Sequence, residues 1–373
     1  MSKRILYLQY TNPAAYPPLQ HSATILAEHG WEVLFLGIAA RGAAPLRLPT
    51  HEHVQVDQIG GVGGGPFAAL KYAAFSASSL RAAARFRPDW CYASDAHSTP
   101  AALLLRTLLR TRTLYHEHDA PSPNVQAAVL ERARDKLARS AELVIAPSAA
   151  RLEMIPAGSG RRVVVWNCPL RREVAAEQGA PDDRFRLVYH GSLSRERLTP
   201  QFIDALTMLP AHVELDIYGY ETQGHAGYAG ELLRRAQQAG VGERVRYHGT
   251  IPDRAQLLEQ LRGHQLGIST VATDSADQNL RTLAGASNKA FEYLACRMPL
   301  LISEEPSWRK LYQEPGYAVA CRPNDARSIA AAVTALAQDT RRAREMGRRG
   351  CERILSEWNY DAQFAPVLEN LSA

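Results

Sequence analysis

The sequence contains no long hydrophobic run. No stretch of about 18 apolar residues occurs, so no membrane-spanning helix is expected. The first ten residues, MSKRILYLQY, lead directly into a strand pattern and lack the apolar core of a signal peptide. The sequence therefore predicts a cytoplasmic protein.

Cysteine is also scarce, and none of the five cysteines belongs to a C-x-x-C pair. Scattered cysteines in an odd number are typical of a reduced protein without a disulfide framework or a structural zinc site. They are Cys91, Cys168, Cys296, Cys321 and Cys351.

Motifs of several nucleotide-dependent enzymes are missing. No G-x-x-x-x-G-K-[ST] phosphate loop occurs. The glycine cluster GGVGGGP, residues 60–66, departs from the G-x-G-x-x-G fingerprint because Pro66 takes its last glycine position. It also follows the third predicted strand rather than the first. We interpret it as a loop, and both a dehydrogenase and an ATPase are disfavoured.

The order of strands and helices predicts the fold class. Strand-like and helix-like segments alternate through the 373 residues, which exceed one ordinary domain. This alternation predicts an α/β protein with two Rossmann-like, doubly wound parallel-sheet domains. The polar segment 169–184 lacks apolar periodicity, so we predict domains at 1–178 and 179–356. Such sheets bind ligands at the carboxyl ends of their strands, here expected to border a central cleft.

The net charge of +5 arises in the first half of the chain, residues 1–180. A basic surface there would suit nucleic acid, an anionic membrane or a phosphorylated substrate, whereas solvated arginines are the alternative. The predicted helix 66–87 carries four basic residues beside an apolar face, which suits weak attachment to anionic lipid; an ordinary helix packed on the sheet is the alternative. They are Lys71, Arg81, Arg85 and Arg87.

Titratable side chains follow a predicted strand in YHEHD, residues 115–119. A period of two places His116 and His118 on one face and Glu117 and Asp119 on the other. Metal binding is disfavoured because no further ligand set and no H-E-x-x-H motif accompany them. We expect polar groups lining a cleft, together with Asp95 at the end of the strand DWCYASD; satisfied surface histidines are the alternative.

The second predicted domain opens with a strand and a glycine turn, HGSLSRER, residues 190–197. Gly191 would let the backbone approach a ligand, with Ser192 beside it. Arg197 carries a planar, permanent charge suited to phosphate. The alternative is that Arg195 and Arg197 are ordinary solvated arginines.

The segment SNKAFEYL, residues 287–294, begins a predicted helix. Ser287 or Asn288 can cap it. Lys289 lies in the first turn, where a cation is unfavourable unless it faces an anion. Glu292 can accept hydrogen bonds from a neutral diol without needing a counter-charge. The alternative is a capping box that uses Glu292.

Nearly the whole chain resembles the retaining glycosyltransferases of family 4, which have the GT-B fold. The most specific match is SNKAFEYLACRMPLLIS, which is similar to the family's P-N-K-x-F-E-Y-x-A-x-G-x-P-V-I segment. Supporting matches are YHGSLSRERLTPQFIDAL, RVRYHGTIPDRAQLLEQL, LYHEHD and VIAPSAARLEMI. EWNYDAQFAPVLENL resembles the terminal helix, so residues 357–373 are expected to pack back onto the first domain.

The resemblance implies a role for each candidate residue. Glu292 would hold the ribose hydroxyls of a nucleotide-sugar, Lys289 and Arg197 would neutralise its diphosphate, and His118 would orient the donor sugar or the acceptor hydroxyl. The remaining donor-binding candidates are Gly191, Ser192, Gly249, Thr250, Ile251, Ser287 and Asn288, of which the turn 249–251 would meet the base. Asp95, His116 and Asp119 would line the acceptor cleft.

The implied reaction moves a sugar from a nucleoside-diphosphate sugar to a hydroxyl group with retention of configuration. The expected nucleotide is UDP, and no metal or other cofactor is required. The acceptor would be a glycan, as in polysaccharide biosynthesis, a lipid-linked glycan or a small molecule, and nucleic acid is not expected. The protein would be cytoplasmic or peripheral at the inner membrane surface.

The sequence departs from the family pattern at three positions. Ala284 stands where the family often has a first glutamate, Ser192 replaces an arginine, and Arg297 replaces a glycine. Two other functions therefore stay open. One is a nucleotide-sugar epimerase or hydrolase on the same fold, and the other is a non-catalytic nucleotide-sugar binding subunit.

Overall fold

The computed structural model describes eight stretches of the chain. They are residues 3–38, 46–48, 50–60, 68–119, 128–177, 183–221, 224–272 and 278–372. Residues 61–66 of the predicted glycine loop, including Pro66, lie outside these stretches. Within these stretches no helix is long and apolar enough to cross a membrane.

The first unit is built on a seven-stranded parallel sheet of order β3-β2-β1-β4-β5-β6-β7. Its strands are β1 Arg4–Gln9, β2 Glu32–Ile38, β3 Val54–Ile59, β4 Trp90–Ser94, β5 Arg112–His116, β6 Leu143–Ala146 and β7 Arg161–Val164. The helices between them are α1 Pro17–Glu28, α2 Ala68–Phe86, α3 Thr99–Leu109, α4 Ala128–Ser140 and α5 Ala149–Met154.

The second unit has a six-stranded parallel sheet of order β10-β9-β8-β11-β12-β13. Its strands are β8 Phe185–Leu193, β9 Val213–Glu221, β10 Val245–Gly249, β11 Leu266–Ser269, β12 Leu300–Ser303 and β13 Ala318–Cys321. The helices in this part of the chain are α6 Gln201–Leu206, α7 Tyr228–Gln238, α8 Arg254–Leu261, α9 Gln278–Arg281, α10 Asn288–Ala295, α11 Pro306–Trp308, α12 Ala326–Ala337 and α13 Thr340–Ser356, and a π-helical turn covers Arg309–Gln313. The last helix is α14 Tyr360–Ser372.

The inner strands of both sheets are buried, which explains their continuous apolar runs, whereas the edge strand β3 is largely exposed. The residues of β1 from Ile5 to Gln9 are all buried, and so is the whole of β12. A parallel strand covered by helices on both faces has no solvent side and therefore loses the alternation of polar and apolar residues. The predicted fold class is confirmed: the chain is an α/β protein with two parallel sheets.

The boundary between the units differs from the predicted one. The first unit comprises residues 1–167, 277–282 and 360–373, and the second comprises residues 168–276 and 283–359. The predicted boundary at 178/179 is therefore eleven residues too late. Residues 168–177 pack with the second unit, because Ala175 N–H donates to Ala295 O at 2.9 Å and Glu173 accepts from Arg254 at 2.7 Å.

The C-terminal helix α14 packs within the first unit. The ring of Tyr360 lies 5.2 Å from that of His21 on α1, and Lys3 Nζ donates to the Ser372 carbonyl at 2.9 Å. The apolar side chains of Tyr360, Phe364 and Val367 are buried there.

Candidate active site

The carboxyl end of β8 forms a turn that only glycine fits. Gly191 has φ +95°, a conformation that residues with a Cβ rarely adopt. A Cβ at this position would also lie 3.2 Å from Cε and 3.5 Å from Nζ of Lys289. On the neighbouring strand, a Cβ at Gly219 would overlap the Gly191 carbonyl at 1.9 Å. The two glycines thus keep the β8 and β9 backbones close together beside Lys289.

Lys289 is buried in the first turn of α10, with 9% of its surface exposed. Its ammonium lies 5.3 Å from the ring centre of Tyr189. Burial and the nearby Arg197 guanidinium lower the pKa of Lys289 to about 7, against the opposing effect of Glu292. Among the residues that the structure describes, neither Lys289 nor Arg197 forms an ion pair. Two basic groups are therefore close together without an ion-pair partner among the described residues.

The start of α10 adds further hydrogen-bonding groups to this site. Its N-cap, Ser287, makes no capping hydrogen bond with its side chain, so the N–H groups of the first turn are not capped by Ser287. The buried Asn288 Oδ1 has no hydrogen-bond partner among the described residues. A helix N-terminus with free donors favours an anion.

Glu292 forms a buried ion-pair network and not a capping box. It is 2% exposed. Its carboxylate pairs with Arg254 of α8 and lies 3.0 Å from Nε2 of His190, which belongs to β8. Arg254 also donates to Glu173 at 2.7 Å. Burial alone would raise the pKa of Glu292, but Arg254 and His190 hold it well below its usual range.

The network around Glu292 corrects the expected environment of this residue. The sequence suggested a carboxylate without a counter-charge, whereas the structure places the Arg254 guanidinium on one oxygen and the His190 ring, whose pKa is lowered by burial, on the other. The sequence reasoning assigned no role to His190 or Arg254. They lie 102 and 38 residues away along the chain, and nothing in the local sequence pattern marks them.

The turn after β10 lies at the same edge of the second sheet. Gly249 has φ +70°, and Thr250 Oγ1 donates to the Gly219 carbonyl at 3.3 Å. Because Gly219 also contacts Gly191, the turn 249–251 joins the group formed by Gly191 and Lys289. Ser192, the next residue of β8, accepts a hydrogen bond from Tyr189 Oη at 2.5 Å through its carbonyl. The structure thus brings these donor-site candidates together at the carboxyl ends of the strands.

In the first unit, Asp95 follows β4 in a strained conformation. Its φ of 62° and ψ of 169° fall in a region that is used almost entirely by glycine. Its Oδ1 accepts hydrogen bonds from the backbone N–H groups of His118, at 2.8 Å, and of Asp119, at 3.2 Å. Burial and the neighbouring Asp119 raise the pKa of Asp95. Asp95 therefore holds the chain that carries His118.

The two histidines of the HEHD segment share one face, as their alternation predicted. Their rings lie 3.8 Å apart. His116 is fully buried and forms a hydrogen bond with Tyr92 through Nδ1. His118 is 3% exposed, and neither of its ring nitrogens has a hydrogen-bond partner among the described residues. Burial, reinforced by Arg151, lowers the pKa of His118 to about 3, so its imidazole is neutral.

Glu117 points to the opposite face and has a structural role. Its carboxylate accepts hydrogen bonds from Arg134 of α4 at 2.6 and 2.8 Å and also from Tyr115. The alternative that the histidines of this segment are surface residues is wrong, because both are buried.

Arg151 of α5 is a further residue that sequence reasoning missed. It is 3% exposed and donates to the His118 carbonyl, and its Nη1 lies 3.4 Å from Asp119 Oδ1. It also donates to the Asn279 carbonyl at 3.0 Å and to Thr282 Oγ1 at 3.2 Å. The quoted segment VIAPSAARLEMI contains it, but these partners are distant in sequence.

Nothing in the described part of the chain resembles a metal centre. No group of three or more histidine, cysteine, aspartate or glutamate side chains in that part is arranged to hold an ion. The five cysteines are buried and form no disulfide.

Two family models match the chain, one in each half. Residues 19–165 match the family described as "Glycosyl transferase 4-like domain". Residues 195–369 match the family described as "Glycosyl transferase-like". Comparison with curated protein sequences finds no match.

Solved structures resemble the chain over almost its full length. Anabaena Alr3699/HepE, in a structure described as a complex with UDP and glucose, has a TM-score of 0.75 at 21% identity, with 99% of each chain covered. The sucrose-phosphate synthase of Thermosynechococcus elongatus has a TM-score of 0.73 at 15% identity, again with 99% of each chain covered. An Escherichia coli protein described as "trehalose-6-phosphate", bound with UDP-2-fluoro glucose, reaches 0.69 at 14% identity, covering 100% of this chain and 99% of its own.

Proposed function

We propose that this chain, which is a glycosyltransferase with the GT-B fold, transfers a sugar from a UDP-sugar to a hydroxyl acceptor with retention of configuration. The observation that carries the proposal is the pair of cations Lys289 and Arg197, which form no ion pair with any described residue. Lys289 lies in the first turn of α10 beside the Gly191 turn, and Arg197 is close enough to lower the pKa of Lys289. A diphosphate supplies the two negative groups that such a site lacks.

The nucleotide and the sugar class are proposed from the similar structures. Anabaena Alr3699/HepE is described in complexes with UDP and with UDP-glucose, and the Escherichia coli protein with UDP-2-fluoro glucose. We therefore propose UDP as the nucleotide and a hexose as the transferred sugar, which makes the chain a hexosyltransferase. Glu292, fixed by Arg254 and His190, would accept the ribose hydroxyls with its remaining lone pairs.

The proposed chemistry uses the cations of the second unit and a neutral histidine of the first. As the glycosidic bond breaks, charge accumulates on the departing diphosphate, and Lys289 and Arg197 match that charge without a metal. The acceptor hydroxyl would attack from the same face and pass its proton to the departing phosphate, which retains the configuration. His118 is neutral, so it can orient a sugar hydroxyl without adding charge beside the oxocarbenium-like carbon.

A panel of nucleotides tests the proposal. UDP and UDP-hexoses are expected to raise the melting temperature, whereas free hexoses are not, because the two cations recognise the diphosphate. At 100 times its Kd a ligand adds about 2.7 kcal/mol to the free energy of unfolding. No shift with any nucleoside diphosphate would contradict the proposal.

Product analysis separates transfer from the two other functions on the same fold. Transfer of the sugar to a hydroxyl acceptor with an unchanged anomeric centre supports the proposal. Release of free or 2-epimerised sugar without an acceptor would indicate the hydrolase or epimerase. Tight UDP-sugar binding without turnover over a broad acceptor panel would indicate a binding subunit.

We also propose that helix α2 contacts an anionic membrane surface, where a lipid-linked acceptor would be found. Arg81 and Arg85 are exposed on this helix, and so is the apolar Leu70, at 69%. Each basic residue near such a surface contributes about 1 kcal/mol. Flotation with vesicles of rising phosphatidylglycerol content is expected to recover more protein, and Arg81→Glu with Arg85→Glu should abolish that recovery. Recovery that does not respond to lipid charge would favour a soluble acceptor.

A further inference from the structure

A second basic cavity lies in the second unit, at the amino ends of its strands. It has a volume of about 720 Å³, and its lining includes Phe185 at the start of β8 and Gln265 just before β11. Six residues along β8 separate Phe185 from Gly191, which at about 3.3 Å per residue is about 20 Å. The cavity is therefore distinct from the Lys289 site at the carboxyl ends of the same strands.

Arginine dominates the lining of this cavity. Five arginines face two carboxylates among the lining residues. The arginines are Arg184, Arg297, Arg341, Arg344 and Arg348, and the carboxylates are Asp183 and Glu345. A volume of this size falls within the range of about 300–1,000 Å³ typical of small-molecule sites.

Some of these arginines form ion pairs with carboxylates, and others do not. Arg348 pairs with Glu345 at 2.6 Å, and Arg184 pairs with Glu214 at 3.1 Å. Arg341 and Arg344, both on the exposed face of α13, form no ion pair with any residue in the described ranges. Among the described residues, no ion pair therefore compensates their charge beside the cavity.

Arg297 provides an independent observation, because its backbone conformation favours glycine. It follows α10 with φ +60°, in a Schellman-type helix end where Met298 N–H donates to the Tyr293 carbonyl at 2.9 Å. Its backbone is enclosed, since a Cβ at Gly347 of α13 would lie 1.9 Å from the Arg297 carbonyl. An arginine here carries strain that a glycine would avoid, and strain of this kind persists where the side chain has a function. The Arg297 side chain lines the cavity, and its Nε donates to the Ala175 carbonyl at 3.1 Å.

We propose that this cavity is a second anion site that binds a phosphate-bearing ligand through Arg297, Arg341 and Arg344. The planar guanidinium group binds phosphate oxygens in pairs and keeps its charge at every physiological pH. The ligand is either a soluble phosphorylated molecule or the phosphate headgroup of a lipid. A soluble phosphomonoester is a dianion and a phospholipid phosphodiester is a monoanion, but both present phosphate oxygens to the arginines.

Inorganic pyrophosphate is the probe, and the Lys289→Met/Arg197→Met double variant is the background that removes the first anion site. Titration calorimetry of this background is expected to detect pyrophosphate binding. Adding Arg341→Ala and Arg344→Ala should weaken that binding at least about tenfold, as expected for lost charge-assisted hydrogen bonds. Both arginines are exposed, so their replacement should leave the fold intact.

Arg297→Gly gives a second test with a matched control. It relieves the strained backbone but also removes the hydrogen bond from Nε to the Ala175 carbonyl, so the melting temperature should change by only a few degrees while pyrophosphate affinity falls. Arg110 ends α3 in the same left-handed region, with φ 55°, and is exposed in the first unit. Arg110→Gly relieves the same kind of backbone strain and should leave pyrophosphate affinity unchanged.

The outcomes separate the proposal from its alternatives. The proposal is overturned if the background variant binds no pyrophosphate, or if neither Arg341→Ala/Arg344→Ala nor Arg297→Gly weakens its binding. Vesicles of phosphatidylglycerol in phosphatidylcholine distinguish the two sources of phosphate. Vesicle binding that pyrophosphate displaces and that Arg341→Ala/Arg344→Ala abolishes assigns the site to a lipid headgroup. Pyrophosphate binding that vesicles do not displace assigns it to a soluble phosphorylated ligand.

Discussion

Lys289→Met is expected to weaken UDP binding by about 100-fold, since a charge-assisted hydrogen bond to a diphosphate contributes about 2–3 kcal/mol. Arg197→Ala should have a similar effect, because the two cations share one anion. Titration calorimetry measures both affinities. Lys310→Met and Arg195→Ala are the matched controls: Lys310 is exposed, and Arg195 is exposed and already paired with Glu231. Unchanged UDP affinity in both Lys289→Met and Arg197→Ala would refute the proposed diphosphate site.

The protonation of Lys289 gives the same experiment a second readout. Its pKa in the free protein is about 7, below the ordinary value for lysine. Between these two values the unfolded chain binds more protons than the folded one, so the contribution of Lys289 to the free energy of unfolding rises with pH. A bound diphosphate restores the charged form. Binding of UDP at pH 8 is therefore expected to take up about one proton.

Proton uptake is measured from the binding heat in buffers of different ionisation enthalpy. Lys289→Met should abolish it, whereas Lys310→Met should not. Uptake that persists in Lys289→Met would mean that another group titrates on binding.

Glu292→Ala should also weaken UDP binding, but it leaves Arg254 and His190 without their shared carboxylate and so lowers stability as well. It is therefore the less direct test of the nucleotide site.

His118→Ala is expected to lower kcat by about 100-fold or more, the range for a lost positioning or proton-handling group. UDP affinity should not change, because Lys289 and Arg197 belong to the second unit and His118 belongs to the first. The expected pattern is thus a fall in kcat at constant UDP Kd. Neither ring nitrogen of His118 has a hydrogen-bond partner among the described residues, so both can serve a substrate hydroxyl.

His116 is the control within the same segment. It is fully buried, and its hydrogen bond to Tyr92 indicates a structural role. His116→Asn should lower the melting temperature more than the rate per folded molecule. Near-normal transfer by His118→Ala together with inactive His116→Asn would mean that the roles of the two histidines are reversed. If both variants retain full transfer, the HEHD segment lies outside the active site.

Local patterns predicted much of the framework. The alternation of apolar strands and amphipathic helices predicted two parallel α/β sheets, because a strand covered on both faces must be apolar throughout. A period of two separated His116 and His118 from Glu117, because successive side chains of a strand point to opposite faces. Lys289 in the first turn of a helix indicated an anion, because the helix dipole disfavours a cation there.

The partners of these residues came only from the tertiary structure. Glu292 takes its charge partners from β8 and α8, and Glu173, which also binds Arg254, precedes the second sheet altogether. The same contacts move residues 168–177 into the second unit, ahead of the predicted boundary. Sequence periodicity indicates which face of a helix or strand a residue occupies. It does not indicate which side chains of other helices and strands will contact that residue.

The sequence by itself determined the fold class, the two-unit plan and the residue types at the carboxyl ends of the strands, since all of these depend on local spacing. Tertiary structure decided which charges are paired. Folding pairs the Glu292 carboxylate with Arg254 but leaves Lys289 and Arg197 without an ion pair among the described residues. In the sequence, Arg297 is only a departure from the glycine of the family pattern. The tertiary structure shows that its backbone is left-handed and that it lines a basic cavity. Ion pairing and backbone strain depend on distances across the fold, and those distances exist only once the chain has packed.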